Sequence, residues 1–191
     1  MLGTDLDEQC LLQQARQGSV DAFGALVRLH QGRVRGFLRR LCRDHALADD
    51  LAQDCFVLAW RKLADYRERG AFSAWLCGIA YRCFLQALRS RRREDTAVLL
   101  YEHELATQEI TGTPPPHSTR EQHTLERAML ELRSDEAAAI TLHITLGYSH
   151  GEVASILNLP LGTVKSLISR GLPKLRAALT APACGAHHED H

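Results

Sequence analysis

The chain has 191 residues, and its 45% hydrophobic, 24% charged and 6% aromatic residues are typical of a soluble globular protein with one domain or two small ones. No apolar run is long enough to span a bilayer, and the start of the chain has neither the basic nor the apolar part of a signal peptide. The net charge of +0, taken over the whole chain, argues against a nucleic-acid partner.

The charge is, however, segregated along the chain. Residues 28–93 hold 15 Lys and Arg against 6 Asp and Glu, whereas residues 94–131 hold 2 against 8. The local balance decides which surface meets phosphate, so the basic first half is a candidate for binding nucleic acid. The six cysteines form no C-x-x-C pair, and we expect reduced thiols in a cytoplasmic protein.

The first half predicts one helix after another. An apolar stripe of helical period predicts a helix over 7–17, which Gly18 closes, and a second over 19–42 with a break near Gly32. A third helix is predicted over 47–63, and it carries acidic and amide side chains at i, i+4 spacing near its amino end. This acidic patch has two interpretations of similar weight, which are docking to a basic protein partner and stabilisation of the helix amino terminus.

A long helix is predicted over 72–92, after a loop over 66–70. Arg82, Arg89 and Arg93 share one exposed line on it, and such a line of guanidinium groups can follow a phosphate backbone. The aromatic residues of the same helix offer surfaces on which bases stack, although each one taken singly favours a place in the core.

The acidic, proline-rich segment around TGTPPPHST predicts a linker, because three consecutive prolines exclude the interior of a helix or strand. We therefore predict an all-α protein of two small helical domains joined by a flexible linker. The predicted divisions are a first domain over 1–95, the linker over 96–119, a second domain over 120–180 and a tail over 181–191.

The second domain ends in a predicted helix-turn-helix, SHGEVASILNLPLGTVKSLISRGLPKLR. Ser149 and Glu152 have the spacing of a capping box, and Asn158 to Pro160 make the turn. In the second helix Val164, Ile168, Gly171 and Leu175 are predicted to face inward, which leaves polar and basic side chains outside. This is the pattern of a helix that enters the DNA major groove, although a plain helical bundle with a solvated face has the same capped starts.

Two segments together resemble the extracytoplasmic-function (ECF) sigma factors, a class of bacterial RNA polymerase sigma factors with regions 2 and 4 only. ADDLAQDCFVLAWRKL followed by FSAWLCGIAYR is similar to region 2, and GYSHGEVASILNLPLGTVKS is similar to region 4. The resemblance covers about residues 23–179. It implies a cytoplasmic factor that binds core polymerase, directs it to promoters and helps to melt them for a stress- or signal-responsive regulon.

The resemblance also implies three sets of site residues. Docking on the clamp helices of the polymerase β′ subunit falls on Asp49, Asp50, Gln53, Asp54 and Val57. Recognition and melting of the −10 element fall on Arg61, Arg67, Trp75, Tyr81, Arg82, Arg89, Arg92 and Arg93. Recognition of the −35 element falls on Ser149, His150, Thr163, Lys165, Ser166, Ser169, Arg170 and Lys174. Further implied partners are the polymerase β flap and an anti-sigma factor, which would hold the protein at the inner membrane if membrane-bound.

The chain departs from the family pattern at several of these positions. Tyr81 and Arg82 stand where Arg and Asn are common, and Leu167 stands where a basic residue is frequent in the recognition helix. Pro173 predicts a kink or restart of that helix, because a mid-helix proline clashes with the carbonyl four residues back and costs about 3 kcal/mol.

Two rival functions have weaker support. A helix-turn-helix regulator with an N-terminal sensing domain explains neither the acidic helix nor the line of arginines. An enzyme is not expected, since the chain has no Gly-rich phosphate loop, nucleophile elbow or H-E-x-x-H motif, and no small-molecule substrate or cofactor is implied. The one metal candidate is the tail, where Zn or Cu ligands are spaced as in C-x-x-H and H-x-x-H. These ligands are Cys184, His187, His188 and His191.

Overall fold

Four helices form the first half of the molecule, which was analysed as a computed structural model that describes residues 2–42, 44–67, 70–101, 125, 128–129 and 131–180. The helices are α1 (Leu2–Arg16), α2 (Val20–Leu41), α3 (His45–Arg61) and α4 (Phe72–Tyr101), with one 3-10 turn (Leu63–Asp65) after α3. All regular structure in the described residues is helical, which confirms the predicted class.

Polar side chains define where the helices of the first half begin. The Ser19 hydroxyl accepts a hydrogen bond from the Ala22 amide at 3.3 Å, and the Asp44 carboxylate accepts from the Ala46 amide at 2.8 Å. Each contact satisfies an amide that has no partner inside its helix. The predicted break near Gly32 is wrong, because α2 runs through it without interruption. A glycine in a helix interior costs about 1 kcal/mol relative to alanine. Buried residues on both sides of Gly32 pack the helix against the core, and this packing offsets the cost.

The long helix α4 has two buried stripes. Leu76, Ala80 and Cys83 lie on the first, which packs among α2 and α3. A second stripe faces the other half of the molecule and was not predicted as a buried face. It consists of Ser73, Cys77, Tyr81, Phe84 and the half-buried Leu88. A helix with apolar residues around most of its circumference belongs between two layers, and α4 has that position.

The second half contains α5 (Ser134–Ile140), a π-helical turn (Thr141–Thr145), α6 (His150–Leu157) and α7 (Leu161–Thr180). Ser134 is the first residue of α5 rather than its cap, and the Glu136 carboxylate accepts from the Arg133 amide at 3.2 Å instead. The predicted restart at Pro173 is wrong, since α7 is assigned as one helix through it. Gly171 lets α5 and α7 approach closely, because a Cβ there would lie 2.6 Å from Cδ1 of Ile140.

The two halves pack against each other in this structure. α5 contacts α2 and α6 contacts α4, so one continuous apolar core runs through both halves. The helix α4 extends to Tyr101, well past its predicted end near residue 92. Most of the predicted linker lies outside the described residues, and the domain boundaries stay predictions. None of the described helices combines the length and apolar character that a membrane crossing requires.

Candidate polymerase and nucleic-acid interfaces

The acidic patch of α3 is exposed, but one of its aspartates forms an ion pair with a neighbouring helix. Asp50, Gln53 and Asp54 are exposed, and Val57 is a large apolar residue with 50% of its surface exposed. Asp49 instead accepts two hydrogen bonds from the Arg39 guanidinium of α2, at 3.0 and 3.1 Å. Both bonds come from the same nitrogen, Nη2, and this ion pair ties α3 to α2 and neutralises one of the predicted docking charges. Asp50 and Asp54 fall at i and i+4 and Val57 at i+7, so exposed charges and an exposed apolar side chain lie along one side of α3.

The predicted line of arginines on α4 is on the surface. Arg82, Arg89 and Arg93 are exposed, and Arg61 and Arg67 are exposed on the neighbouring segment. The side chain of Arg92 lies outside the described residues. The three guanidinium groups of α4 fall at i, i+7 and i+11 along one side of the helix, and such a row attracts a phosphate backbone.

The two aromatic residues predicted to contact the −10 element have different environments. Trp75 is half-buried and its ring lies 5.5 Å from that of Phe72 and 5.3 Å from that of Tyr66, so it belongs to an aromatic cluster with an open edge. Tyr81 is only 6% exposed. Burial raises the pKa of Tyr81, and the nearby Asp135 of α5 adds to this effect. The second half of the molecule therefore stands beside Tyr81 in this structure.

The helix-turn-helix has the predicted start and turn. The Ser149 amide donates to a Glu152 carboxylate oxygen at 2.8 Å, and the Glu152 amide donates to the Ser149 hydroxyl at 3.3 Å. These two bonds form a capping box. The Ser149 hydroxyl also donates to a Glu152 carboxylate oxygen at 2.7 Å, and this bond together with the one from the Ser149 amide lowers the pKa of Glu152. Asn158 ends α6 in the left-handed conformation, with φ of 54°. His150 stacks on His143, with ring centroids 4.2 Å apart.

The exposed face of α7 is narrower than that of a uniformly basic recognition helix. Four polar side chains line a shallow open hollow on it, and Thr163 is half-buried beside them. These four are Lys165, Ser166, Ser169 and Arg170. Leu167 is 3% exposed and packs into the core together with Val164 and Ile168. Its position in the inward-facing stripe explains why an apolar residue stands where a basic one is frequent.

Lys174 has a partner inside the domain. Its ammonium group donates to both carboxylate oxygens of Glu136 at 2.9 Å, and the Glu136 side chain is only 3% exposed. This contact links α7 to α5 at the predicted edge of the −35 surface. The metal candidates of the tail, Cys184, His187, His188 and His191, lie outside the described residues.

Sequence reasoning missed a polar cluster between the halves. Tyr148 is 6% exposed and its hydroxyl donates to the Ser73 hydroxyl at 2.8 Å. The Arg33 guanidinium donates to the Tyr148 hydroxyl at 3.2 Å and to Ser73 at 3.3 Å. These residues are far apart in the chain, so no local sequence pattern predicts their contact. The one available signal is Tyr148 itself, because an aromatic residue directly before a capping box is a candidate for packing against another segment.

An acidic docking face, a line of arginines and a helix-turn-helix on one chain define a protein that acts on DNA together with a protein partner. The family model for sigma-70 region 2 matches residues 26–94, and the model for sigma-70 region 4 matches residues 122–175.

Individual relatives agree with these matches. The chain is 31% identical to the RNA polymerase sigma-H factor of Pseudomonas aeruginosa over 94% of this chain and 96% of that protein. It is 30% identical to the ECF RNA polymerase sigma-E factor of Haemophilus influenzae over 88% and 93%. The solved sigma factor RpoE of Bartonella quintana, in complex with the anti-sigma factor NepR, superimposes with a TM-score of 0.70 at 26% identity. That superposition covers 85% of this chain and 99% of RpoE.

The chain belongs to the ECF sigma factors of the sigma-70 family, with regions 2 and 4. It is a transcription initiation factor that binds core RNA polymerase and promoter DNA and directs the polymerase to promoters. The rival interpretation as a regulator with an N-terminal sensing domain is not favoured, because the region 2 match occupies that half.

Proposed function

We propose that the exposed face of α3 docks on the clamp helices of the polymerase β′ subunit. The observation that carries the proposal is that Asp50, Asp54 and Val57, which fall at i, i+4 and i+7 along one side of α3, are all exposed. Charges at the rim of such a surface steer the encounter with a basic partner, and the apolar centre supplies binding energy on burial. Asp49 supports this face through its bond to Arg39, in addition to the docking role predicted for it.

The proposed role of α4 is to hold the melted −10 element. Its exposed arginines follow the backbone of the non-template strand, and the open edge of Trp75 offers a surface for a base. The exposed polar face of α7 reads the −35 element in the major groove, while region 4 meets the β flap. Lys165 and Arg170 supply the positive charge of that face.

The proposed setting is the bacterial cytoplasm, where the factor serves a stress- or signal-responsive regulon. The Bartonella quintana relative was solved with an anti-sigma factor, and we propose that a partner of this class, in solution or at the inner membrane, restrains the present chain as well. The factor acts by binding alone, with no catalytic group, cofactor or small-molecule substrate of its own.

Charge reversal tests the docking face. Asp50→Arg and Asp54→Arg are expected to abolish association of the purified protein with core polymerase in a pull-down, with an unchanged circular dichroism spectrum. Asp7→Arg is the matched control, because Asp7 is exposed on α1, away from this face. Normal core binding by both α3 variants would refute the proposed docking face.

Alanine substitution tests the −35 face. Lys165→Ala and Arg170→Ala are expected to weaken promoter binding by the assembled holoenzyme by about 1–3 kcal/mol where a base contact is lost. Mapped transcript starts supply the promoter for this measurement. Equal binding of the variants and the parent protein would place the −35 contacts elsewhere.

A further inference from the structure

Two histidine rings stack on each other at the start of the helix-turn-helix, and we call them the histidine stack. They are His143, in the π-helical turn, and His150, the first residue of α6. Their ring centroids lie 4.2 Å apart and their planes differ by 29°. Both residues are half-buried, so the stack stands at the surface of the molecule.

The backbone of the loop before α6 fixes the ring of His143. Its Nδ1 atom lies 2.8 Å from the carbonyl oxygen of Tyr148. A carbonyl oxygen can only accept, so Nδ1 carries the proton and donates it. The same loop is closed by two backbone hydrogen bonds, from the Leu146 amide to the Thr141 carbonyl at 3.0 Å and from the Tyr148 amide to the Leu142 carbonyl at 3.1 Å. The loop therefore sets the orientation of the His143 ring before any DNA is bound.

The ring of His150 is held by the stack and by nothing polar. Within the part of the chain that the structure describes, it contacts the ring of His143 and makes no hydrogen bond. Its two nitrogens are therefore available to a ligand. An imidazole has one N–H donor even when it is neutral, and a phosphate oxygen accepts from a donor of this kind.

The carboxylate of the same turn is already engaged. Glu152 accepts from the Ser149 amide at 2.8 Å and from the Ser149 hydroxyl at 2.7 Å. Its negative charge is thus bound to the cap of α6, and no described carboxylate forms an ion pair with either ring of the histidine stack. The side-chain donor of His150 is left for an anion from outside the protein.

The place of His150 in the motif indicates which anion that is. In a helix-turn-helix the second helix enters the major groove while the first crosses the DNA backbone. Here α7 carries the polar face with Lys165 and Arg170, and α6 is the helix that crosses the backbone. A side chain of α6 with a free N–H donor is therefore suited to a phosphate group. Such contacts fix the register of a protein on the duplex without reading its sequence.

We propose that His143 is a positioning residue, which holds the His150 ring for contact with a phosphate group of the −35 element. The inference rests on the proposed −35 role of region 4 and deepens it. A side chain loses rotamer freedom when it is immobilised at an interface. Stacking on the fixed ring of His143 restricts His150 before DNA binds, so part of this loss has already occurred. His150 makes the contact with DNA, and His143 acts through it.

The first experiment measures the ring of His150 in the absence of DNA. Proton–carbon NMR spectra of the full chain compare the parent with His143→Phe, which keeps an aromatic ring, and with His143→Ala, which removes it. The chain has 10 histidines, and a spectrum of His150→Gln identifies the resonances that belong to His150. We expect ring-current shifts of these resonances in the parent and in His143→Phe, and their loss in His143→Ala. Identical His150 resonances in the parent and in His143→Ala would overturn the positioning role.

The second experiment is a double-mutant cycle on promoter binding by the assembled holoenzyme. His150→Ala is expected to lower the affinity about fivefold, through the lost hydrogen bond, and His143→Ala about threefold, through the lost restriction of the ring. In the double variant His143→Ala should add nothing to the loss from His150→Ala. A loss from His143→Ala that is as large without His150 as with it would overturn the inference, because a general weakening of region 4 has that effect.

Conservative and control variants complete the cycle. His143→Phe should bind the promoter more tightly than His143→Ala, since it keeps the stack, and equal weakness of the two would count against stacking as the cause. Thr145→Ala is the matched control, because Thr145 is exposed in the same turn, and it should bind like the parent. The loss from His150→Ala should be equal on promoters that differ in one −35 base pair, as a phosphate contact requires. A loss confined to one of these promoters would assign a base contact instead.

The two experiments separate the inference from the function on which it rests. The binding of Lys165→Ala and Arg170→Ala decides whether region 4 reads the −35 element. Parent-like promoter binding by His150→Ala, with weakened binding by those two variants, would refute the phosphate contact alone. The NMR comparison decides independently of DNA whether His143 orients the ring.

Discussion

The ammonium group of Lys174 donates to both carboxylate oxygens of Glu136, each at 2.9 Å, and so joins α7, the proposed DNA-reading helix, to α5. The carboxylate is buried, while half of the Lys174 side chain remains in solvent. The interaction is consequently stronger than a surface ion pair and weaker than a fully buried one. Its main consequence is for the stability of region 4.

Removal of the Lys174 amine should therefore lower the free energy of unfolding of region 4. Lys174→Ala leaves the Glu136 carboxylate buried without its main partner and is expected to cost about 1–3 kcal/mol in urea denaturation. Arg170→Ala is the control, because Arg170 is exposed and donates to the Ser166 carbonyl of its own helix. Equal stability of the two variants would contradict the structural role of Lys174.

The same pair predicts a loss of stability in acid. Burial acts to raise the pKa of Glu136, but the hydrogen bonds from Lys174 and the Arg133 amide outweigh it and hold the pKa below the ordinary 4.5. The unfolded chain therefore binds the proton first, so the contribution is complete above pH 4.5 and is lost as pH falls below it. Glu136→Gln should flatten this part of the denaturation profile, and an unchanged profile would count against the prediction.

His30 predicts a second acid transition in a different pH range. Burial lowers its pKa from 6.5 to about 4, with a further contribution from Arg33, although Glu8 Oε2 lies 3.5 Å from its Nε2. Stability is then complete above pH 6.5 and falls by about 3 kcal/mol as the pH drops to 4. Urea denaturation at pH 7.5 and 4.5 measures this loss. His30→Gln should lose less between these two values, and a loss equal to that of the parent would refute the assignment.

A fourth prediction concerns the close packing of α5 and α7. Gly171→Ala places a Cβ 2.6 Å from Ile140 Cδ1 and 3.3 Å from Glu136 Cβ, and overpacking of this kind costs about 1–3 kcal/mol. Ile140→Val removes the clashing methyl group and should recover part of the loss in the double variant. Gly162→Ala is the control, since nothing lies within 4 Å of its Cβ and alanine favours a helix. A Gly171→Ala protein as stable as this control would contradict the packing argument.

The last prediction concerns α1, which precedes the region 2 match. The Arg16 guanidinium donates to the Tyr66 carbonyl and lies 5.6 Å from the centroid of its ring, while the Tyr66 hydroxyl donates to the Gly70 carbonyl at 2.7 Å. Arg16→Ala is expected to cost about 1–2 kcal/mol and to speed hydrogen exchange of the Asp65 and Tyr66 amides. Gln17→Ala, on the exposed neighbour, should leave that exchange unchanged. Unchanged exchange in Arg16→Ala as well would remove any role for α1 in holding this turn.

Local patterns predicted the parts of the molecule that depend on neighbours in the chain. The capping box of Ser149 and Glu152, the turn at Asn158 and the inward stripe of α7 are all confirmed, because their partners lie within a few residues. The inward position of Leu167 was not predicted, because the predicted inward stripe of α7 did not include this residue.

Contacts between distant segments were beyond local patterns. Tyr148 donates a hydrogen bond to Ser73, which lies 75 residues away in the chain. The second stripe of α4 is buried only because the second half of the molecule packs on it, so its own sequence does not show that it is buried. The continuity of α2 at Gly32 and of α7 at Pro173 likewise depends on packing along the helix flanks, which overrides the local preference of one residue.

The narrow polar face of α7 limits how much sequence one helix can read. Lys165 and Arg170 are five residues apart, which is about 7.5 Å along the helix axis. Stacked bases repeat every 3.4 Å or so, and the hollow between these two side chains therefore spans only about two base-pair steps. A sequence of two base-pair steps recurs throughout any genome. With the −35 contacts proposed above, promoter choice would therefore depend on the distance between the −35 and −10 elements as well as on their base sequences.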